Sequence, residues 1–270
     1  MKPPPKEIDW NEMAKSFDRW LPFIQPVADQ LISLAEISEG QKVLDVASGT
    51  GEPSLTIARR FGSRITLTGV DGAEAMVAAA DEKAQREGLQ GISFQKMKAE
   101  RLTFPSNQFD RVISRFGVML FDDPLAGLQE MRRVLKEGGK MAIAVWGEFS
   151  KMESLYHIWE ALMKRLPEEK RLPTPKMADL GAPGKLEALL LEAGLKKHEV
   201  KPFPLFYRFD SFESYWKIST EAGALKEPLD HLSPIDQKKL KEEVREKTAS
   251  FQKKDQIQFQ NDVLLAVAVK

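Results

Sequence analysis

The chain has 270 residues, and its 40 lysines and arginines balance 40 aspartates and glutamates, so the formal charge is zero. No overall field draws such a chain to nucleic acid or to anionic lipid, and neither is an expected partner. Cysteine is absent, which excludes disulfides, thiolate metal sites and cysteine-adduct chemistry such as C5 methylation of pyrimidines.

The stretch Met1 to Trp10 carries the run Pro3-Pro4-Pro5 and several charges, without the apolar centre of a signal peptide. No segment approaches the ~18 consecutive apolar residues of a membrane span, so a cytoplasmic address is expected. Residues 8–36 are expected to be helical, because Trp10, Met13, Phe17, Trp20 and Leu21 recur at steps of three and four until Pro26 interrupts the pattern.

From Lys42 onward strands and helices alternate. Val43 to Ala47 is a first strand, followed by a helix near Ser54 to Phe61, a strand over Ile65 to Val70 and a helix near Ala73 to Arg86 that Gly88 stops. Ile92 to Gln95 and Phe109 to Ser114 are the next strands. Asp123 and Pro124 suit the cap and first position of a helix with the apolar stripe Leu125, Leu128, Met131 and Leu135. Gly138-Gly139 is expected to end it, and Lys140 to Trp146 is the fifth strand.

Beyond Trp146 the rhythm changes. Helices near Glu153 to Leu166 and Lys185 to Ala193 are separated by Pro167, Pro173, Pro175 and Pro183. Val200 to Tyr207 is a sixth strand, residues 211–254 are mainly helical and charged, and Ile257 to Val269 is a seventh strand. The lysine-rich stretch Lys238 to Lys254 includes Glu242, Glu243 and Glu246, the mixture of a solvated helix face.

The expected fold class is α/β: a Rossmann-like, seven-stranded, mostly parallel sheet with helices on both faces. To it are added an N-terminal helical segment and helical lid insertions after strands five and six, where the carboxyl edge of the sheet receives ligands. The chain is read as a single domain. Residues 1–40 form a helical cap, 41–149 the cofactor-binding core, 150–184 and 208–256 the lid insertions, and 185–207 and 257–270 the remaining core.

The turn after the first strand, Asp45-Val46-Ala47-Ser48-Gly49-Thr50-Gly51, points to an adenosine-type cofactor. Glycines there let backbone N–H groups approach a ligand, and Asp71, twenty residues after Gly51, would sit at the tip of the neighbouring strand to accept ribose hydroxyls. Ser54 stands where the third glycine of a nicotinamide fingerprint belongs. The spacing DxxxGxG from Asp45 and the later blocks instead decide the comparison.

With these blocks the chain resembles the class I S-adenosylmethionine-dependent methyltransferases. The resemblance runs over residues 42–146, through Gly69-Val70-Asp71-Gly72-Ala73-Glu74-Ala75-Met76, Ala99-Glu100-Arg101-Leu102-Thr103-Phe104, Ser114-Arg115-Phe116-Gly117 and Arg133-Val134-Leu135-Lys136-Glu137-Gly138-Gly139. Within that superfamily it is most similar to the group containing the ubiquinone and menaquinone C-methyltransferases. It implies S-adenosylmethionine as cofactor and S-adenosylhomocysteine as product.

By position, the resemblance implies that Ser48, Gly49 and Gly51, with Ala47, hold the methionine moiety and that Asp45 fixes this loop and reaches the cofactor's amino group. It implies a ribose contact for Asp71, with Gly72 beside it, and an adenine contact for Met76. Ala99 and Glu100 match the loop at the adenine edge. Lys98 stands where the family usually has aspartate, and a cation cannot accept the adenine amino hydrogen bond, which shifts that contact to Glu100 or to backbone. Ser114, Arg115 and Phe116 match the strand end under the transferable methyl.

The resemblance implies transfer of a methyl group to a small-molecule acceptor, at carbon or oxygen. Phe17, Trp20, Trp146 and Tyr156 are candidates to line the acceptor pocket, and each could equally be packing. If the acceptor needs a base, His157 and then Tyr207 are the candidates; a histidine on a partly apolar helix could also be satisfied structure. Asp122-Asp123 is explained by a helix cap, and no metal is expected. A non-catalytic cofactor-binding or interaction module, and a nicotinamide-dependent oxidoreductase, are the rival readings. The oligomeric state is open, with a homodimer as one candidate.

Overall fold

The computed structural model describes residues 9–221 and 225–270. The expected helix start at residue 8 and the proline run lie outside the described residues. The chain divides into two compact units. The larger comprises residues 9–146, Lys176–Phe203 and Val263–Lys270; the smaller comprises Gly147–Pro175 and Pro204–Asp262.

In the larger unit the parallel strands are β1 (Lys42–Val46), β2 (Thr66–Asp71), β3 (Ile92–Lys96), β4 (Phe109–Arg115) and β5 (Leu135–Trp146). Further along the chain come β6 (Lys197–Phe209), the two-residue β7 (Gln252–Lys253) and β8 (Gln256–Val269). The sheet order is β3-β2-β1-β4-β5-β8-β6, with β7 paired to β8. β8 runs antiparallel to β5, from Lys140 opposite Val269 to Trp146 opposite Val263. β7 is a strand beyond the seven expected: its two residues are too short for any sequence period to register.

Strand order reverses between β1 and β4, so the chain leaves these neighbours in opposite directions and opens a crevice at their carboxyl ends. Val43, Leu44, Val46, Leu67, Val70, Val112 and Ala142 to Val145 are almost wholly buried. Strands covered on both faces are expected to be continuously apolar, as these are.

The leader is two helices, α1 (Trp10–Phe17) and α2 (Leu21–Ala35), joined by a short 3-10 turn at Asp18–Trp20. The break therefore falls at residues 18–20, and Pro26 lies inside α2. Proline removes one early helical hydrogen bond, while Ile24, Val27, Ala28, Leu31, Ile32 and Ala35 bury a continuous stripe that holds the helix through it. Helices α3 (Ser54–Phe61), α4 (Glu74–Arg86) and α5 (Pro124–Val134) alternate with the strands. α5 ends at Val134 and β5 starts at Leu135, ahead of Gly138-Gly139: the bend to extended backbone is made by Leu135, and the β4–β5 register shifts across the glycines instead.

The smaller unit holds α6 (Glu153–Arg165), and α7 (Lys185–Glu192) returns to the larger one. It then adds α8 (Phe212–Thr220), α9 (Lys226–Asp230) and α10 (Pro234–Thr248). Its core is aromatic: Tyr215 lies 4.4 Å from Phe259 and donates its hydroxyl to the Ser154 carbonyl at 2.9 Å. Among the described residues no helix is long and apolar enough to cross a membrane.

Candidate functional site

The carboxyl end of β1 turns sharply. Ala47, Gly49 and Gly51 adopt positive φ of 59°, 54° and 108°. At Gly51 a Cβ would be strained by that φ and would stand 2.8 Å from Leu55 Cδ1, so glycine is required there. The turn is pinned from the next strand: Asp71 accepts the Gly49 amide at 2.9 Å through Oδ2 and the Ala73 amide at 2.9 Å through Oδ1. A carboxylate has about four lone-pair sites, so Asp71 retains acceptor capacity for a ligand. Burial raises its pKa, while the Ala73 and Gly49 amides oppose the shift.

Asp45 is fully buried beneath this turn. Its Oδ2 accepts the Ser54 hydroxyl at 2.7 Å, and its Oδ1 has no hydrogen-bond partner. Burial pushes its pKa up to about 7 against the pull of Ser54 and Arg115. The hydroxyls of Ser48 and Ser114 are also buried without partners. Unsatisfied buried polar atoms are costly, and three together at one crevice suit a polar ligand with a cationic group.

At the end of β4, Arg115 donates to the Glu52 carbonyl at 2.8 Å. Phe116 follows at φ 60° and stacks on Trp146, ring centroids 4.3 Å apart and 18° from parallel. Gly117 permits this corner, because a Cβ there would lie 2.6 Å from Ala47 Cβ and 3.2 Å from the Val46 carbonyl oxygen.

The leader reaches the same turn. Asp9 caps α1, and Asn11 accepts the Ala75 amide at 3.0 Å. Asp18 accepts the Thr50 hydroxyl at 2.6 Å and the Lys83 ammonium at 2.7 Å, and Lys83 also donates to the Thr50 carbonyl at 3.0 Å. Phe17 Cε1 lies 3.8 Å from where a Gly49 Cβ would be. Trp20 faces Phe23 at 6.0 Å.

Towards the third strand, Met76 and Ala99 are buried. Glu100 Oε1 accepts the amides of Asp122 at 2.8 Å and Asp123 at 3.3 Å, and Lys98 pairs with Asp122 at 2.9 Å. Gly72 leaves its Cβ position 3.9 Å from Lys98 Cγ.

The larger unit thus brings together Phe17, Asp45, Ala47, Ser48, Gly49, Gly51, Asp71, Gly72, Met76, Ala99, Glu100, Ser114, Arg115, Phe116 and Trp146. Tyr156, His157 and Tyr207 belong to the smaller unit. There Tyr156 meets Phe149 edge-on at 5.7 Å, His157 lies 5.2 Å from Phe251, and Tyr207 is buried next to Phe209. Asp18, Thr50, Ser54 and Lys83 are not among the site residues expected from the sequence, and no period along the chain links them.

A family model described as a methyltransferase domain matches residues 43–139. The chain is 30% identical over 169 residues to the aklanonic acid methyltransferase DauC of Streptomyces sp. (strain C5), an alignment covering 60% of this chain and 77% of that one. It is 42% identical over 107 residues to the ubiquinone/menaquinone biosynthesis C-methyltransferase UbiE of Geobacter sulfurreducens, covering 39% of this chain and only 42% of the relative. Among solved structures, the YcgJ protein of Bacillus subtilis superposes with a TM-score of 0.63 at 21% identity, over 91% of this chain and 98% of that one, which is a likeness of fold.

Proposed function

Because the chain belongs to the class I S-adenosylmethionine-dependent methyltransferases, we propose that it methylates a small, planar acceptor at carbon or oxygen. Its cofactor is S-adenosylmethionine. When bound, that group supplies a methyl carbon made electrophilic by the sulfonium. The residues present fit it: an unpartnered Asp45 Oδ1 and the Ser48 and Ser114 hydroxyls suit a methionine end, and Asp71 keeps acceptor sites for a ribose.

The observation that carries the acceptor class is the Phe116–Trp146 stack at the ends of β4 and β5. The outer face of such a stacked, near-parallel pair is flat and apolar, and an aromatic or quinonoid ring extends the stack against it with an offset. Relatives named for aklanonic acid and for ubiquinone and menaquinone support a ring-bearing acceptor.

In-line displacement asks the protein chiefly for alignment and exclusion of water. Positioning can contribute on the order of 7 kcal/mol or more in favourable cases. Asp71 and the turn around Gly49 and Gly51 bind and orient, the Asp45 carboxylate receives a positive charge, and the aromatic pair excludes water from its face. A phenol already ionised, or an activated ring carbon, needs no base from the protein.

The test is S-adenosylhomocysteine formation across a panel of hydroxylated naphthoquinones, anthraquinones and phenols, with small amines as the contrasting set. Turnover confined to amines would sink the acceptor assignment. Absence of any calorimetric signal with S-adenosylmethionine would sink the whole reading.

A further inference from the structure

Arg115 stands on the last residue of β4, where the resemblance puts it under the methyl group, yet its side chain runs elsewhere. It is 8% exposed, and one guanidinium N–H is committed to the Glu52 carbonyl at 2.8 Å. A buried guanidinium is costly unless charge and hydrogen bonds compensate it. Two features of the turn supply that compensation.

The first is mechanical. The turn is fastened at Gly49 by Asp71 and at Thr50 by Lys83, which leaves its far limb to be held at Glu52. The Glu52 side chain faces the other way, accepting the Thr56 hydroxyl at 2.7 Å and the Arg59 guanidinium at 2.7 Å at the start of α3. Arg115 ties this limb to β4.

The second is electrostatic. The groups acting on Asp45 are Ser54 from α3, Arg115 from β4, Asp71 from β2 and Glu52 from the turn. Ser54 and Arg115 favour its ionised form; burial, Asp71 and Glu52 oppose it. Asp45 pairs with Ile113 on the neighbouring β4, and Arg115, two residues further along that strand, is on the same face of the sheet and is the one cation among these groups.

We propose that Arg115 is a positioning residue for cofactor capture, fastening the Glu52 carbonyl of the turn to β4 and supplying the positive charge that holds buried Asp45 as a carboxylate to receive the cofactor's ammonium group. This rests on the methyltransferase reading. Arg115 touches neither the methyl group nor the acceptor in this role.

The test is calorimetric titration of S-adenosylhomocysteine, which retains the ammonium group, into the wild-type chain, Arg115→Lys, Arg115→Gln, Arg115→Met, Asp45→Asn and the Asp45→Asn/Arg115→Met double variant. Circular dichroism melts verify folding. Removing an adjacent opposite charge moves a carboxylate pKa up by at least about one unit, so Arg115→Met is expected to lose about tenfold in affinity near pH 6.5 and much less near pH 9. Arg115→Lys should stay within about threefold of wild type, because it keeps the charge. Arg115→Gln keeps a donor for Glu52 without the charge and should show the pH-dependent loss alone; it carries the test if Arg115→Met does not fold.

In the Asp45→Asn background, adding Arg115→Met should cost only the pH-independent share that comes from the lost Glu52 contact, since the carboxylate its charge acts on is gone. Equal losses at both pH values, with full additivity in the double variant, would overturn the proposal and leave the methyltransferase reading standing. A wild type that takes up no S-adenosylhomocysteine would overturn both.

Discussion

Asp71 and Gly49, 22 residues apart in sequence, meet through one hydrogen bond of 2.9 Å, so the acid at the tip of β2 is also a clamp on the turn after β1. The same carboxylate opens α4 by accepting the Ala73 amide. Asp71→Ala removes the acceptor of two internal hydrogen bonds and, with it, the proposed ribose contact. A hydrogen bond to a charged group contributes about 1.5–3 kcal/mol, so cofactor affinity measured by calorimetry is expected to fall by ten- to more than a hundredfold. Asp71→Asn, which keeps one acceptor oxygen, should fall between the two.

Gly117→Ala is expected to lower both stability and cofactor affinity. Its Cβ would press to 2.6 Å on Ala47 Cβ and 3.2 Å on the Val46 carbonyl, both at the strand end and neither on a flexible side chain. Overpacking of this kind costs about 1–3 kcal/mol, readable as a lower urea midpoint at unchanged m-value. Gly88→Ala, with open space around its Cβ but φ at +62°, supplies a comparison in which strain acts without a clash.

The core was legible because its signals are local. Val43 to Val46, Thr66 to Val70 and Met141 to Val145 are short apolar runs bounded by turns, and a glycine corner followed by an acid twenty residues on is a pattern along the chain. What was illegible depends on tertiary partners. Pro26 looked like a helix end because its local cost is visible, while the buried stripe that outweighs it is not. Gly138-Gly139 looked like a stop although Leu135 had already bent the chain. Glu100 turns to the Asp122 and Asp123 amides, and Arg115 to Glu52, across gaps that no sequence period encodes.

Asp18 couples the leader to the cofactor turn through Thr50 and Lys83. Its side chain is half exposed, so the ion pair is screened and contributes little to global stability, less than about 1 kcal/mol. Asp18→Ala should therefore leave the melting temperature nearly unchanged. Amide hydrogen exchange is expected to accelerate in residues 10–20 and 48–51 alone. A uniform rise across the larger unit would show that Asp18 matters to folding rather than to the junction.

Tyr215 is the buried anchor of the smaller unit. Phenylalanine keeps its packing against Phe259 but leaves the Ser154 carbonyl without the hydroxyl it now accepts. Ser154 itself donates twice to Asn261 Oδ1, at 3.2 Å and 2.7 Å, so the loss falls within a connected network. Tyr215→Phe is expected to destabilise by about 1–2 kcal/mol in chemical denaturation.

His157 yields a pH prediction with a defined sign. Burial lowers its pKa, Lys247 lowers it further, and Glu153 and Glu160 oppose the shift. The unfolded chain then binds more protons than the folded one between the depressed folded value and the unfolded value of about 6.5. Its contribution to stability is present above about pH 6.5 and is lost as pH falls towards the folded value. Buried Asp45, pushed up to about 7, gives the opposite slope in this window, so the His157 contribution is read as a difference: the stability of wild type relative to His157→Gln should decline between about pH 7.5 and 5.5. A histidine that titrates by NMR at or above about 6.5 would contradict the burial on which the prediction stands.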